Sequence, residues 1–525
     1  MISTKTDIIA ALLLCLPAVA HAWHEKPPPL AGVSYVQLAA QDEDLPASRD
    51  ALFATDAASP DAAPADEKAP LPGSKDALFG DDATAGRAQV TIPVRGGAEP
   101  DLKGDTFDAA PRAHSRSQGE SHPWRGFLQT ELAYTYGDPA HWSETQGRLM
   151  LGTQGHFGPG IQWKASGRFD YNAVHDLSNY YSGSVRHDQQ AGFRFGETYM
   201  DFTSDGWDWR VGRQHIVWGE MVGLFFADVV SAKDLREYVL PDFQTLRIPQ
   251  WAARTEYFKD DFHAEVVWIP FPSYDLIGQP FRLGGAGAGS DFYPYPLSPA
   301  GIPMIENEEK PGYGFGHGNF GIRLSRLTQG WDLSGFYYTS MDSSPTFLRD
   351  PIVQTLFTPV HTRIGQAGGT LAKDFGSFVL KSEVVYTRGR EYNVTTLADS
   401  DGVVKQNTLD WAVGLDFNPA ADTRLNAQLF QRVYFNYDPG IHFDRMENGY
   451  SLLVHHDFTP KWQGEILLIS SFNRNDWLLR PKLTRQFKPD WHLTIGLDVF
   501  DGAPTGMFGQ YKNCDRIYTE ARYDF

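Results

Sequence analysis

Apolar and polar residues alternate along many segments of this chain. In residues 161–173, every second residue from Ile161 to Tyr171 is apolar or small, and the residues between them are polar or charged. A period of two is typical of a β-strand that has one apolar and one polar face. The apolar face requires lipid or a protein core, and the charged face requires water.

The same alternation recurs often enough to predict an all-β chain of about 18 strands, or of 16 if one hairpin lies in a loop. Most of the segments reach the roughly 9–11 residues that a tilted strand needs to cross a bilayer. The clearest segments are 126–136, 161–173, two runs within 193–214, 262–268, 331–339, 378–386, 409–417, 423–437, 462–470, 491–499 and 517–525, and weaker ones are 142–157, 251–258, 319–328, 362–373, 447–458 and 478–487.

The connections between these segments alternate in length. The connection after each even-numbered segment is short, as in Gly158-Pro159-Gly160 and Ser204-Asp205-Gly206, whereas those after odd-numbered segments are mostly long, as in 219–249 and 271–317. Short turns at one end and long loops at the other are what an up-and-down transmembrane β-barrel requires. We therefore expect residues 124–525 to form an antiparallel barrel of this class.

Residues 1–22 predict a cleaved secretory signal peptide, because an apolar core precedes the cleavage pattern Ala20-His21-Ala22. Residues 23–123 are acidic and rich in Ala, Pro and Asp, which predicts a disordered periplasmic arm. A short motif ending in Leu-Phe occurs twice in this arm. Its apolar pairs are candidate anchors for a periplasmic partner, and the alternative is slippage duplication within a spacer; the four residues are Leu52, Phe53, Leu78 and Phe79.

Composition excludes several other classes. The formal net charge of −19 disfavours a nucleic-acid partner, because few basic groups are available for phosphates. No apolar run of about 18 residues follows the N-terminal segment, which argues against helical membrane spans. If the signal peptide is removed, Cys514 is the only cysteine left and no intramolecular disulfide can form. We expect no cofactor and no metal.

The last nine residues alternate and end on an aromatic residue. Ile517, Thr519, Ala521, Tyr523 and Phe525 share one face of the predicted strand. This pattern resembles the C-terminal strand of bacterial outer-membrane proteins. The resemblance implies that Tyr523 and Phe525 are an assembly signal for the barrel-assembly machinery, and that outer-membrane lipid surrounds the barrel.

A barrel of this size is too wide for its wall side chains to fill, so a channel remains unless loops narrow it. The loop from Phe271 to Gly318 is long enough to fold inward as a constriction, and an external position is the alternative. Charges of both signs argue against a pore selective for one sign of ion. The polar-face candidates for the lumen are Lys164, Arg168, Asp170, Arg210, Arg254, Glu256, Lys381, Glu383, Arg424, Arg432, Arg516, Glu520 and Arg522.

Three short motifs resemble the signature of a porin-like Gram-negative outer-membrane family that carries a domain of unknown function. They are Gly212-Arg213-Gln214 with Trp218-Gly219-Glu220, the turn at Ala232-Lys233-Asp234, and Arg247-Ile248-Pro249. The chain departs from the family at the turn, where Asn-Pro-Arg-Asp is usual. The resemblance implies passage of organic molecules, in some members lipid-like and beside an inner-membrane exporter.

The alternation breaks at Gly212, since Arg213 and Gln214 are adjacent polar residues. An arginine on the lipid face costs about 2–4 kcal/mol near mid-membrane. We therefore predict a β-bulge at or beside Gly212 that turns Arg213 into the lumen, with Gln214 and Glu220 held by the loop from Met221 to Gln250. A protomer interface, or a strand that leaves the membrane early, is the alternative.

Catalysis is not expected, because Ser451 and His455 are too far apart along one strand to form a nucleophile and base. We predict a Gram-negative outer-membrane channel for small organic solutes. The alternative is a transporter of lipid-like or hydrophobic compounds that works with a periplasmic carrier or an inner-membrane exporter, and a third class is a structural or adhesin-like barrel.

Overall fold

The computed structural model describes residues 124–158, 160–219, 221, 226–312, 314 and 316–525. Residues 1–123, for which a signal peptide and an arm carrying Leu52, Phe53, Leu78 and Phe79 are predicted, lie outside the described residues, as does Glu220. Val222 to Phe225 also lie outside them.

The described residues form 23 strands, numbered in chain order. They are β1 Trp124–Thr135, β2 His141–Phe157, β3 Ile161–Asn172, β4 Ala191–Ser204, β5 Trp207–Gln214, β6 Ala232–Lys233, β7 Arg247–Ile248, β8 Gln250–Lys259, β9 Phe262–Phe271, β10 Met304–Ile305, β11 Asn319–Thr328, β12 Trp331–Met341, β13 Thr346–Arg349, β14 Leu356–Val360, β15 Arg363–Asp374, β16 Phe378–Asn393, β17 Val403–Ala420, β18 Thr423–Phe435, β19 Met446–Thr459, β20 Trp462–Ser471, β21 Asp476–Lys488, β22 Trp491–Asp501 and β23 Arg516–Asp524.

Eighteen of these strands form one closed antiparallel sheet, and β6, β7, β10, β13 and β14 form two small sheets in the loops. Closure comes from β1 pairing with β23, from Thr135 with Arg516 to Phe127 with Asp524. Gly126 and Phe525 exchange two backbone hydrogen bonds of 2.9 Å at the end of this seam. The predicted barrel, with 18 rather than 16 strands, is confirmed.

Helices are few and short among the described residues. They are α1 Val174–Leu177, α2 Gly183–Gln189 and α3 Phe243–Leu246, together with a 3-10 helix at Gly509–Tyr511. None of these helices has the length and apolar composition needed to cross a membrane.

The outer face of the barrel is apolar, and aromatic rings gather near the short turns. Phe157 and Trp163 stack at 5.7 Å, and Trp491 and Tyr523 stack at 4.8 Å between ring centroids. Charged residues alternate with these side chains and face inward. The two faces therefore separate as the sequence predicts.

One strand changes face midway. Phe193 and Phe195 of β4 are exposed on the outer face, but Tyr199 is buried inside, with the Arg210 guanidinium 4.0 Å from its ring centre. The pairing with β3 shifts between Ala165 and Gly167, so Gly196 and Glu197 together face Ser166. This β-bulge turns Glu197 inward and places Tyr199 on the opposite face of the sheet from Phe193 and Phe195.

Candidate functional site

The lumen wall carries charged side chains that are paired with one another. Lys164 binds Glu197 at 3.0 Å, and Arg254 binds Glu256 at 2.7 Å. Other predicted lumen residues are paired in the same way: Arg168 with Asp170 at 2.8 Å, Arg210 with Asp201 at 2.7 Å, Arg432 with Asp410 at 2.5 Å and Lys381 with Asp416 at 2.6 Å. Arg424 faces the same side as buried His455, its partner in register. Their role along a substrate path stays a prediction.

The loop between β5 and β8, residues 215–249, folds into the barrel, and we call it the lumen loop. Its described residues contact inward-facing side chains of strands on several sides of the wall. These contacts are Trp218 with Glu265 on β9, Met221 and Ala227 with Glu383 on β16, Phe226 with Phe430 on β18, Thr245 with Arg168 on β3, Val239 and Leu240 with Arg480 on β21, and Glu237 with Arg516 on β23. The constriction therefore comes from this loop.

The lumen loop begins where β5 ends, at a cap built by the β4 bulge. The Glu197 carboxylate accepts a hydrogen bond of 3.1 Å from the backbone N–H of His215. The amide of Gln214, which is fully buried, donates to the carbonyls of Arg210 and Ala252 at 3.1 Å each. These bonds satisfy backbone groups at the point where the chain leaves the sheet. Gln214 was predicted to be held by the loop from Met221 to Gln250, but the carbonyls that its amide contacts lie in β5 and β8.

Trp218 anchors the next part of the loop. Its side chain is fully buried among Val267, Ile269, Phe336 and Tyr338, which form an apolar patch on the inner wall. The indole N–H donates to Glu265 at 3.2 Å. Burying a large aromatic ring and satisfying its N–H together favour one fixed position of the loop.

Glu383 holds the middle of the loop to the wall of β16. Its carboxylate oxygens accept hydrogen bonds from the backbone N–H groups of Met221 at 2.9 Å and Ala227 at 3.0 Å. Charge-assisted hydrogen bonds of this kind are stronger than neutral ones. Glu383 is thus a polar-face candidate with a structural role.

A two-strand ladder of β6 and β7 stiffens the inner half of the loop, pairing Ala232 with Ile248 and Lys233 with Arg247. Arg247 also donates to buried Asp228 at 2.9 Å. Burial opposes ionisation of Asp228, but Arg247 and Lys233 outweigh it and hold the pKa of Asp228 below its ordinary value. Ala232 and Lys233, where the chain departs from the family motif, form strand β6.

The far end of the lumen loop packs beneath the loop between β9 and β11. Tyr238 stacks on Phe292 with 6.2 Å between ring centroids, and the backbone of Lys233 donates to Asp275 at 2.7 Å. The loop from Phe271 to Gly318 thus lies against the lumen loop as a cover at the long-loop end of the barrel.

A passage of charged side chains remains between the lumen loop and the wall. Its cavity volume is about 100 Å³. Arg480, Lys482 and Arg516 line it together with Glu131, Glu237, Asp242, Glu465 and Glu520. A polar opening of this kind suits small solutes that carry charge or hydrogen-bonding groups.

The prediction that Arg213 faces the lumen is wrong. The pairing of β5 with β4 and β8 continues without a register shift through Gly212, and Arg213 lies opposite Trp251, which is 40% exposed on the outer face. Gly212 has φ of 137°, so its backbone is distorted without an inserted residue. The bulge lies instead at Gly196 and Glu197 of the neighbouring strand.

Several residues of the site were not predicted from the sequence, and Glu197 and Arg480 illustrate two different reasons. Glu197 lies in a bulge that no local sequence pattern predicts. Gly196 fits next to Ser166 because it has no side chain: an added Cβ would lie 2.5 Å from the Ser166 hydroxyl oxygen. Arg480 could have been predicted from the sequence, because it alternates with Lys482 and Thr484 along a strand whose pattern is weak. Tyr523 and Phe525 lie at the short-turn end, with 5.8 Å between ring centroids.

The fold and the site define a closed β-barrel with an apolar exterior, a charged lumen and a constriction made by its own loop. Residues 154–433, more than half of the chain, match the model of the family described as "Protein of unknown function (DUF1302)", and the chain belongs to this family.

Several solved barrels are similar in structure. Acinetobacter baumannii OccAB1 has a TM-score of 0.47 at 10% identity, covering 78% of this chain and 98% of that chain. Pseudomonas aeruginosa OpdK with vanillate has a TM-score of 0.45 at 10% identity, covering 78% and 100%. Salmonella typhi OmpF in complex with daunomycin has a TM-score of 0.38 at 10% identity, covering 77% and 97%. No curated protein matches the sequence.

Proposed function

We propose that this protein is a porin-like channel for small organic solutes in the outer membrane of a Gram-negative bacterium. The observation that carries the proposal is the charged passage between the lumen loop and the wall of β1 and β20–β23. The apolar outer face suits lipid. The short turns, Phe525 and the N-terminal arm would then lie in the periplasm, and the long loops outside the cell.

The wall charges favour solutes with polar or charged groups over neutral apolar ones. Lys482 binds Glu465 at 2.9 Å, and Arg516 binds Asp498 at 2.8 Å, so both signs are fixed in place along the passage. Because both signs are present, we propose weak selectivity between anions and cations.

Reconstitution of the mature chain, residues 23–525, tests this function. In planar bilayers we expect discrete ion currents, and in liposomes we expect swelling in small sugars and amino acids. A barrel that is correctly folded but gives neither current nor swelling would overturn the channel.

The second candidate is a transporter of lipid-like compounds that works with a periplasmic carrier or an inner-membrane exporter. A barrel that is silent in bilayers and still supports growth on a hydrophobic compound would favour it. The observation that favours this candidate is that residues 191–197 of β4 have no paired strand beside the end of β5 among the described residues.

A further inference from the structure

The part of the chain that the structure describes leaves a gap in the barrel wall beyond the end of β5 at Gln214. This strand has 8 residues, whereas its neighbours β4 and β8 have 14 and 10. Within β4, Thr198–Ser204 pair with β5, but no described residue pairs with that edge of residues 191–197. We call this gap, between residues 191–197 of β4 and the end of β5 at Gln214, the wall notch.

The chain that would fill the wall notch runs into the lumen instead. His215 is held by Glu197, Ile216 and Trp218 are buried in the inner apolar patch, and Met221 reaches Glu383 on β16. The wall notch therefore follows from the same bonds that fix the lumen loop.

Aromatic side chains flank the wall notch on the outer face. On one side, Phe193 and Phe195 are 62% and 57% exposed, with 5.2 Å between ring centroids. On the other side, Trp251 and Phe271 are paired in register and are also exposed. An apolar tail in the membrane would find contacts at both rims.

A polar cavity lies behind the wall notch. Ala191, Gly192 and Arg194 of β4 line it together with Asp234 and Arg236 of the lumen loop. This cavity and the charged passage share four lining residues, Arg148, Glu237, Pro241 and Thr245. A molecule that enters through the wall notch would thus meet the same route that solutes take through the lumen.

Arg213 sits at the base of the wall notch and faces outward. Its Nε is shielded from solvent and has no hydrogen-bond partner among the described residues. Arg194, which repels it, is paired with Asp234, whereas no described carboxylate forms an ion pair with Arg213. Arg213 is therefore a half-buried cation between aromatic rims with no anionic partner among the described residues.

We propose that the wall notch is a lateral passage between the lumen and the membrane for anionic amphiphiles, and that Arg213 binds their carboxylate or phosphate head group. The exposed aromatic rims take the apolar tail, and the polar cavity takes the head group as it moves inward. This inference rests on the proposed channel, because it adds a side entrance to it and names the class of molecule that uses it.

Binding is tested with the mature chain in dioleoylphosphatidylcholine vesicles. The probes are stearate with a nitroxide near its methyl end, its uncharged methyl ester, and a monoacyl phosphate with the same labelled chain. From the immobilised fraction in electron paramagnetic resonance spectra, we expect wild-type protein to bind at least one anionic probe about tenfold more tightly than the ester. The two anionic arms distinguish a carboxylate from a phosphate head group.

Variants assign that preference to Arg213. We expect R213Q to lose the tenfold preference and R213K to keep most of it. The matched control is R485Q, since Arg485 is exposed near the short turns and packs on Trp462 and Phe487. Unchanged binding in R213Q, or equal loss in R485Q, would overturn the head-group site. Gel mobility without heating shows that each variant is folded.

Passage is tested with a stearate that carries a diazirine on its tail, added to the same vesicles and photolysed. We expect labelled peptides from β4 and from residues 226–249 of the lumen loop, and fewer lumen-loop labels in R213Q. Labels confined to the outer face would overturn the lateral passage. Swelling of these vesicles in a small sugar is measured in parallel. Loss of swelling would show that the barrel forms no channel, whereas normal swelling without lumen-loop labels would show that only the lateral passage is absent.

Discussion

Single side chains on the wall hold the constriction in place. Arg480 donates to the carbonyls of Val239 at 3.3 Å and Leu240 at 2.6 Å, and Arg516 reaches Glu237 at 3.6 Å. Because carbonyl groups of a loop in a wide lumen have few other protein partners, these arginines decide how far the loop stays from the wall.

Replacing Arg480 with methionine is expected to loosen the far end of the lumen loop. Hydrogen bonds from a charged group contribute about 1.5–3 kcal/mol each, so the loss of two raises the population of displaced loop conformations at least about tenfold. Single-channel recordings should show larger and noisier currents.

The matched control is R474M, because Arg474 binds Glu447 at 2.7 Å near an outer loop and has no described contact with the lumen loop. Asp498 keeps Arg516 as a partner at 2.8 Å in the R480M variant, so no wall carboxylate is left alone. Currents identical to wild type in R480M would show that these bonds do not hold the constriction.

At the scale of elements, the bulge in β4 determines where the neighbouring strand β5 ends. The bulge at Gly196 and Glu197 supplies the carboxylate that caps His215, and β5 ends one residue before that cap. A bulge in one strand thus sets where the neighbouring strand stops and where the lumen loop begins.

Replacing Gly212 with alanine is expected to destabilise the β4–β5 pair. Gly212 has φ of 137°, and an added Cβ would lie 2.3 Å from the carbonyl oxygen of Thr198. Strain of this kind costs about 1–3 kcal/mol. The temperature at which the folded band disappears on an unheated-sample gel should fall.

Gly183 provides the comparison for this substitution, because an added Cβ there meets no atom within 4 Å. G183A should melt like wild type. If G212A melts at the wild-type temperature as well, the backbone at Gly212 accommodates a side chain without cost, which would contradict the strain that we predict there.

For the whole molecule, stability depends on closing the sheet. The seam joins residues nearly 400 positions apart, since β1 pairs with β23 and Gly126 exchanges backbone hydrogen bonds with Phe525. An open sheet of this length would leave two unpaired edges in lipid, where no water can satisfy them.

Deleting Phe525 is expected to lower the amount of assembled barrel in cells several-fold, because it removes both terminal seam bonds and the aromatic end of the assembly signal that we propose. The fraction of heat-modifiable protein in outer-membrane preparations measures this. F525W keeps the backbone bonds and an aromatic ring and should assemble normally. Full assembly without Phe525 would contradict a role for this residue in closure.

The sequence by itself determined the barrel. Alternation is a local property of each strand, so the strands and the inward position of residues such as Lys164 and Arg254 were predictable. Loop lengths show which ends of the strands are neighbours, so the topology was predictable as well. The same alternation predicted Arg516 and Glu520, whereas Glu131, Glu465 and Lys482, which also line the charged passage, were missed.

Only the tertiary structure decided which loop narrows the lumen and which way Arg213 faces. A bulge depends on how two strands fit, and the fit of Gly196 beside Ser166 cannot be seen in β4 alone. The path of the lumen loop depends on anchors spread over the chain, from Arg168 to Arg516, which become neighbours only when the sheet closes. Local alternation carries no information about such distant contacts.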